Sequence, residues 1–299
     1  MRDAESPEAR LAPTLTEDGA SEEDIMQPRS VGNTQSDITR GVRKTWCMCK
    51  HVIQHKGSDI KSKGYRAYEW DVLLAVAHGT RNPAGVHAVC QIVDAVRTRR
   101  SDLDVRLGWI ELVEPGVPVV LADIAPDLAA IVVPLLLSSG YHDRVDLPAA
   151  IAATRPGTAH AAVLGPDPLL AVALADRLSE AGYTAGDAVV LAGAGSSDPD
   201  AVASVPAQAS LLAAELGLRA GGPAAVTVGF GSAASPTVVE AVSAARTGGG
   251  RVAIAPYLLA PGFFADRLGD AGADVVAAPL GAHPALIDLI VQRISSTFG

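Results

Sequence analysis

Two histidines and one glutamate stand where short apolar runs end. His78 follows DVLLAVA (71–77) in Ala77-His78-Gly79-Thr80, and Glu111 follows VRLGWI (105–110) in Trp109-Ile110-Glu111. His142 comes just after AAIVVPLLL (129–137), in Ser138-Ser139-Gly140-Tyr141-His142. Runs of this kind read as buried strands, and open α/β sheets place their ligands at strand C-terminal ends. Three strand ends would thus aim two imidazoles and a carboxylate into one cleft. That set suits a borderline divalent ion such as Fe²⁺ or Co²⁺, would also suit Zn²⁺, and leaves coordination positions open. A neutral histidine there also accepts a proton near neutral pH. Taken singly, a His after a strand is more often a hydrogen-bonded structural residue and a Glu at a strand end is usually solvated. The argument rests on the three together.

The elements that would position them alternate strand with helix. Asp71–Ala77 reads as a strand, Ala84–Arg99 as a helix with Val86, Val89, Cys90, Val93 and Val96 on one face, and Val105–Ile110 as a strand. Val117–Ile124 follows as a helix, Ala129–Leu137 as a strand, Asp146–Ala153 as a helix, Ala159–Leu164 as a strand and Pro168–Ala181 as a helix. Such alternation implies a parallel sheet with helices on both faces.

The pattern then repeats. Asn82-Pro83 recurs as Asp198-Pro199, and Leu164-Gly165-x-x-Pro168 as Leu280-Gly281-x-x-Pro284, both 116 residues on. Gly108 and Pro115 match Gly229 and Pro236 at 121, and Pro134 and Gly140 match Pro256 and Gly262 at 122. Asn or Asp before Pro is a helix start, the side chain capping an amide and the Pro preset for the first turn. The fold class is therefore α/β: two tandem-duplicated, doubly wound units, 71–183 and 184–299, with a cleft between them. By these offsets His78 aligns with Ala194, Glu111 with Ser232 and His142 with Phe264. All three candidate ligands are missing from the second unit although its caps and strands persist. That loss fits a catalytic first half and a degenerate second half better than it fits a structural trio.

The runs AHGTRNP, WIELVEP and VPLLLSSGYHDRVDLP resemble the sirohydrochlorin chelatases of the class II chelatase family. That family's pattern is a strand then H-G-[ST]-R, an aromatic-x-E segment, and P-x-x-L-x-x-G-x-H-x-x-x-D-[IL]-P. The resemblance covers roughly 71–299, since the family includes two-unit chains with one degenerate half. It implies a lyase that inserts Fe²⁺ or Co²⁺ into sirohydrochlorin without ATP, in siroheme or cobalamin synthesis. Nickel suits the ligands as well. It also implies catalytic and metal-binding roles for His78 and His142 and an acidic metal ligand in Glu111. No cofactor beyond the metal substrate is expected. Open coordination is what such a reaction needs, because the ion must pass to four pyrrole nitrogens as two pyrrole protons leave.

Sirohydrochlorin carries eight carboxylates, and a chain of net charge −9 must hold them with local cations or amides. Arg81 and Arg144, beside the two histidines, are candidates, with Ser138, Ser139 and the Gly140 amide as further donors. Arg144 has an alternative in pairing with Asp143 or Asp146. Tyr141 would pack on the macrocycle or on the second half, where Phe263 holds the matching position. The acidic balance argues against a long nucleic-acid interface. With 48% apolar residues and 4% aromatic ones, Ala, Val and Leu must build the core. Three cysteines do not make a disulfide scaffold. No apolar run reaches the roughly 18 residues of a membrane span and no signal peptide is evident, so a cytoplasmic protein is expected, as a monomer in which the duplication replaces a dimer of single units.

Residues 1–70 hold all of the lysines without periodicity and read as a disordered extension. Within them Cys47-x-Cys49-x-His51-x-x-x-His55 lacks zinc-finger spacing. Gly193–Gly195 and Gly248–Gly250 complete no phosphate-binding loop and read as turns. His283 precedes a Pro-started helix, as a cap would. Two other functions compete. A histidine phosphatase also sets His-Gly after a first strand, but needs Arg immediately before it, where this chain has Ala77. A non-enzymatic metal or tetrapyrrole carrier fits the ligand set equally, and turnover is what separates it from a chelatase.

Overall fold

A computed structural model describes residues 70–295. Residues 1–69 and 296–299 lie outside the described residues, and with them the expectations for the N-terminal extension and its Cys and His residues. The first sheet has the order β2-β1-β3-β4, all parallel, from β1 (Val72–Ala77), β2 (Asp104–Trp109), β3 (Ala130–Pro134) and β4 (Ala159–His160). The second is β6-β5-β7-β8, from β5 (Ala188–Gly193), β6 (Val226–Phe230), β7 (Val252–Tyr257) and β8 (Val275–Val276). The expected pair of doubly wound units is present. Ala77 lies opposite Trp109 and Val76 opposite Pro134, so the three strands that lead to the site end level with one another.

Two strands are shorter than expected. β3 stops at Pro134 because its neighbour stops: the Leu135 amide makes a last bond to the Val76 carbonyl, and β1 ends one residue later. Beyond His160 the regular ladder lapses: the Ala161 and Leu164 amides still reach the Val132 and Leu136 carbonyls, but the carbonyls of Val163 and Leu164 are taken by Arg293. The helix expected from Asp146 starts at Leu147, and a π-helical turn, His142–Asp146, runs into it.

The helices of the first repeat are α1 (Pro83–Arg99), α2 (Val117–Ala122), α3 (Leu147–Thr154) and α4 (Pro168–Glu180). Those of the second are α5 (Pro199–Ala220), α6 (Val238–Arg246), α7 (Phe263–Arg267) and α8 (Pro284–Ser295). Alternation along β1 divides its side chains between two faces. Val72, Leu74 and Val76 face Val117, Leu121, Leu147 and Ile151 in an outer core. Leu73 and Ala75 face a larger core common to both repeats, with Leu170 and Leu174 of α4, Leu191 of β5, Leu212 of α5 and Leu286 and Ile290 of α8.

The last helix of each repeat serves the other. α4 packs on α5 and β7, and α8 on α1 and β3. Arg177 of α4 donates to the Leu280 carbonyl at 2.9 Å, and Arg293 of α8, 116 residues later, to the Leu164 carbonyl at 2.9 Å. The caps repeat too: Asn82 accepts from the Ala84 amide and Asp198 from the Asp200 amide. His283 accepts from the Ala285 amide at 3.2 Å, as a cap should. α5, with 22 residues, has the length and average apolarity of a membrane span, although Ser, Gln and charged residues interrupt its apolar run. Here it is a packed helix, and its acidic and basic residues Asp200, Glu215 and Arg219 all form ion pairs.

Candidate metal and tetrapyrrole site

The site begins where β1 and β2 end. The Ile110 amide bonds to the Ala77 carbonyl at 2.9 Å and the Glu111 amide to the His78 carbonyl at 3.0 Å, so the ladder continues past the strands and sets these residues side by side. Gly79 has φ +108°, and a Cβ there would strike the Glu111 carbonyl. Only glycine allows this approach. Gly195 repeats the device at φ +88° against the Ser232 carbonyl. Leu112, just after Glu111, has φ +65° and is exposed, a conformation unusual for leucine. Ala233 holds the matching place at φ +53°.

His78 Nδ1 lies 3.5 Å from Glu111 Oε1 and 3.4 Å from the Gly79 carbonyl. The imidazole and the carboxylate therefore face one another across the mouth of the two loops. The His78 and His142 rings meet edge to face, centroids 4.7 Å apart. One ligand atom from each of His78, Glu111 and His142 lies within 4.8 Å of the others. No other group of three or more His, Cys, Asp or Glu residues among the described residues is disposed in this way. His78 and Glu111 are about half exposed, which leaves room for a large planar ligand.

His142 opens the π-helical turn, a local geometry frequent at functional sites. The turn brings Asp146 to its Nδ1 at 2.6 Å. A carboxylate only accepts, so Nδ1 holds the proton and Nε2 is free for an ion. Sequence reading gives Asp146 no role at the site, although its i+4 spacing from His142 and its place in the family pattern were both available signals. The neighbouring Asp143 accepts from Ser139 Oγ at 2.6 Å. His160 Nε2 stands 3.2 Å from Asp143 Oδ1 without hydrogen-bond alignment. Burial pulls the Asp143 carboxyl upward, but His160, Ser139 and Arg144 outweigh it and its pKa falls below the ordinary range.

The expected substrate contacts fall into three groups. Arg81 and Tyr141 are exposed, and Arg81 has no ion pair or hydrogen bond among the described residues. Ser139 spends its proton on Asp143, Ser138 faces Ser204 Oγ at 3.0 Å, and Gly140 packs near Asp198 of the second repeat. Arg144 is no free cation: its guanidinium pairs with Asp198 and, at 2.8 Å, with Asp200. The sequence alternatives, Asp143 and Asp146, are not its ion-pair partners. No local spacing announces a contact made across the fold. The second repeat places Ala194, Ser232 and Phe264 at the ligand positions, and Ser232 Oγ bonds the Ala194 carbonyl at 3.1 Å.

Known proteins share this fold. The CbiX family model matches twice, over 72–181 and 188–297. A sirohydrochlorin cobaltochelatase of Methanosarcina acetivorans is 31% identical over 125 residues, covering 36% of this chain and 95% of that protein. One of Methanosarcina barkeri is 30% identical over the same length and coverage. Among solved structures, SirB of Bacillus subtilis with Fe³⁺ aligns with TM-score 0.64 at 25% identity, over 76% of this chain and 94% of SirB. The two matches lie on the two sheets with their helices, and this chain belongs to the CbiX family, of which it carries two copies in tandem.

Proposed function

We propose that this chain inserts Fe²⁺ or Co²⁺ into sirohydrochlorin without ATP, as a step of siroheme or cobalamin synthesis. The observation that carries this reading is the convergence of His78, Glu111 and His142 at a half-exposed cleft, within a fold whose relatives are named sirohydrochlorin cobaltochelatases. A ring nitrogen of His78, Nε2 of His142 and a Glu111 oxygen hold the incoming ion through three donors, which leaves coordination positions for pyrrole nitrogens. As the ring replaces protein ligands, two pyrrole N–H protons leave. A histidine released from the ion is a base at the right place to take one. The reaction balances as divalent ion plus free-base macrocycle giving metallated macrocycle plus two protons. The first repeat is the catalytic one, and the second lacks the ligands.

We further propose a cytoplasmic monomer, since the two repeats complete one another's core within a single chain. Absorbance during incubation with sirohydrochlorin and Co²⁺ or Fe²⁺ tests the activity. Wild type converts many equivalents of macrocycle faster than the metal-only control. His78→Ala, His142→Ala and Glu111→Gln each lower the rate at least about a hundredfold, with circular dichroism unchanged. Binding of a single equivalent without acceleration would identify a carrier instead.

A further inference from the structure

Among the described residues, permanent cations are scarce and almost all are spent. No lysine occurs after Lys63, so arginine supplies every such charge from 70 onward. Each of those arginines pairs with a carboxylate or donates to a backbone carbonyl within the described residues, except Arg81 and Arg267. Both exceptions are exposed. Neither is near the other in sequence, yet the fold brings their segments together. Asn82, next to Arg81, reaches Asp266, next to Arg267, at 3.5 Å. A Cβ on Gly262 would lie 3.7 Å from Thr80 Oγ1, and one on Gly85 would press on the Pro261 carbonyl. The loop that carries His78 therefore abuts the segment that carries Arg267.

The opposite lobe-to-lobe contact is its repeat-related counterpart with inverted charge. There Arg144 meets Asp198 and Asp200, so two carboxylates cancel the cation. The Arg267 guanidinium lies over the Phe263 ring, 5.0 Å from the centroid, a contact that leaves its charge unneutralised. Its neighbour Phe264 stands where the first repeat has His142.

We infer that Arg267, from the repeat without metal ligands, joins Arg81 in binding carboxylate arms of the macrocycle and so sets which edge of the ring enters this end of the cleft. Guanidinium is the group best shaped for a carboxylate, and an anionic substrate is drawn to unpaired cations rather than neutralised ones. The inference deepens the proposed function and rests on it for the identity of the ligand. The second repeat thereby acts as a wall that binds substrate.

The test uses the full chain with sirohydrochlorin, measuring Kd without metal by quenching of ring fluorescence, and KM and kcat with Co²⁺. Arg267→Gln and Arg81→Gln each raise Kd and KM about tenfold with kcat within about twofold, the loss expected for one charge-assisted contact. Arg267→Lys recovers part of the loss, and Arg251→Gln, at a charge already paired, changes neither constant. Added salt weakens wild type more than Arg267→Gln. If wild type turns over and both Arg267 variants keep Kd and KM within twofold, the inference falls and the proposed function stands. If wild type binds the ring without accelerating metallation, the proposed function falls and the Kd series still decides the inference. Absence of binding by wild type overturns both.

Discussion

His78 and His142 are set by different means, and the difference bears on which is more vulnerable. His78 hangs from a ladder of backbone bonds between two loops, with weak side-chain neighbours at 3.4 and 3.5 Å. His142 depends on one strong partner, Asp146 at 2.6 Å. Removing that carboxylate frees the ring to rotate and no longer fixes which nitrogen carries the proton. Asp146→Ala is therefore expected to lower metal affinity or rate by roughly 10–100-fold, the usual effect of losing a partner that orients a ligating histidine. Asp146→Asn, which keeps an acceptor without the charge, should fall between. The measurement is KM for Co²⁺ alongside the rate. An Asp146→Ala variant with unchanged metal dependence would show that packing alone orients the ring. At this scale the ligands were legible in the sequence because each sits just beyond an apolar run. Arg144 was legible as a cation but not as a spent one, since Asp198 lies 54 residues away in the chain.

Elements show where sequence reading reaches its limit. Strand positions followed from apolar runs, but β3 and β4 ended early for reasons outside themselves: a neighbour that stops, and a helix arginine that captures the next carbonyls. The π-helical turn was equally hidden, because its i to i+5 bond, Leu147 amide to His142 carbonyl, has no signature in residue type. That turn is tied to the start of α5 by Arg144 and Asp198, which gives a pH prediction. Burial raises the Asp198 carboxyl, but the Asp200 amide and Arg144 outweigh it, so its pKa lies below the ordinary carboxylate value. A depressed pKa contributes stability above the unfolded-state value, lost as pH falls through the folded-state value. Asp198→Asn keeps the cap and removes only the charge. Wild type should therefore melt above this variant at pH 6, and the gap should close as pH drops below about 4. Thermal unfolding between pH 3 and 7 checks this, and a gap independent of pH would contradict it.

The whole molecule explains how one repeat lost its ligands without losing its shape. Ala194, Ser232 and Phe264 replace the site, while the caps, the close-approach glycines and the exchanged helices stay. What the second repeat retains is what the first needs for folding. Leu286 and Ile290 of α8 pack in the core that β1 and α1 face, and α4 delivers Leu170, Leu174 and Leu178 to the other side of it. Each of these side chains is fully buried. At roughly 1.5–3 kcal/mol per side chain, uncovering the three leucines of α4 alone costs about 5–9 kcal/mol, as much as the whole stability of many domains. A fragment of residues 70–183 should therefore fail to fold as a monomer, or else pair with a second copy that exchanges α4. Mixing it with a fragment of residues 184–299 should restore a 1:1 complex that unfolds cooperatively and metallates sirohydrochlorin. Light scattering after size exclusion and thermal circular dichroism distinguish these cases. A monomeric 70–183 fragment with a cooperative melt would mean that each repeat carries its own core, and that the exchange of helices only decorates two independent domains.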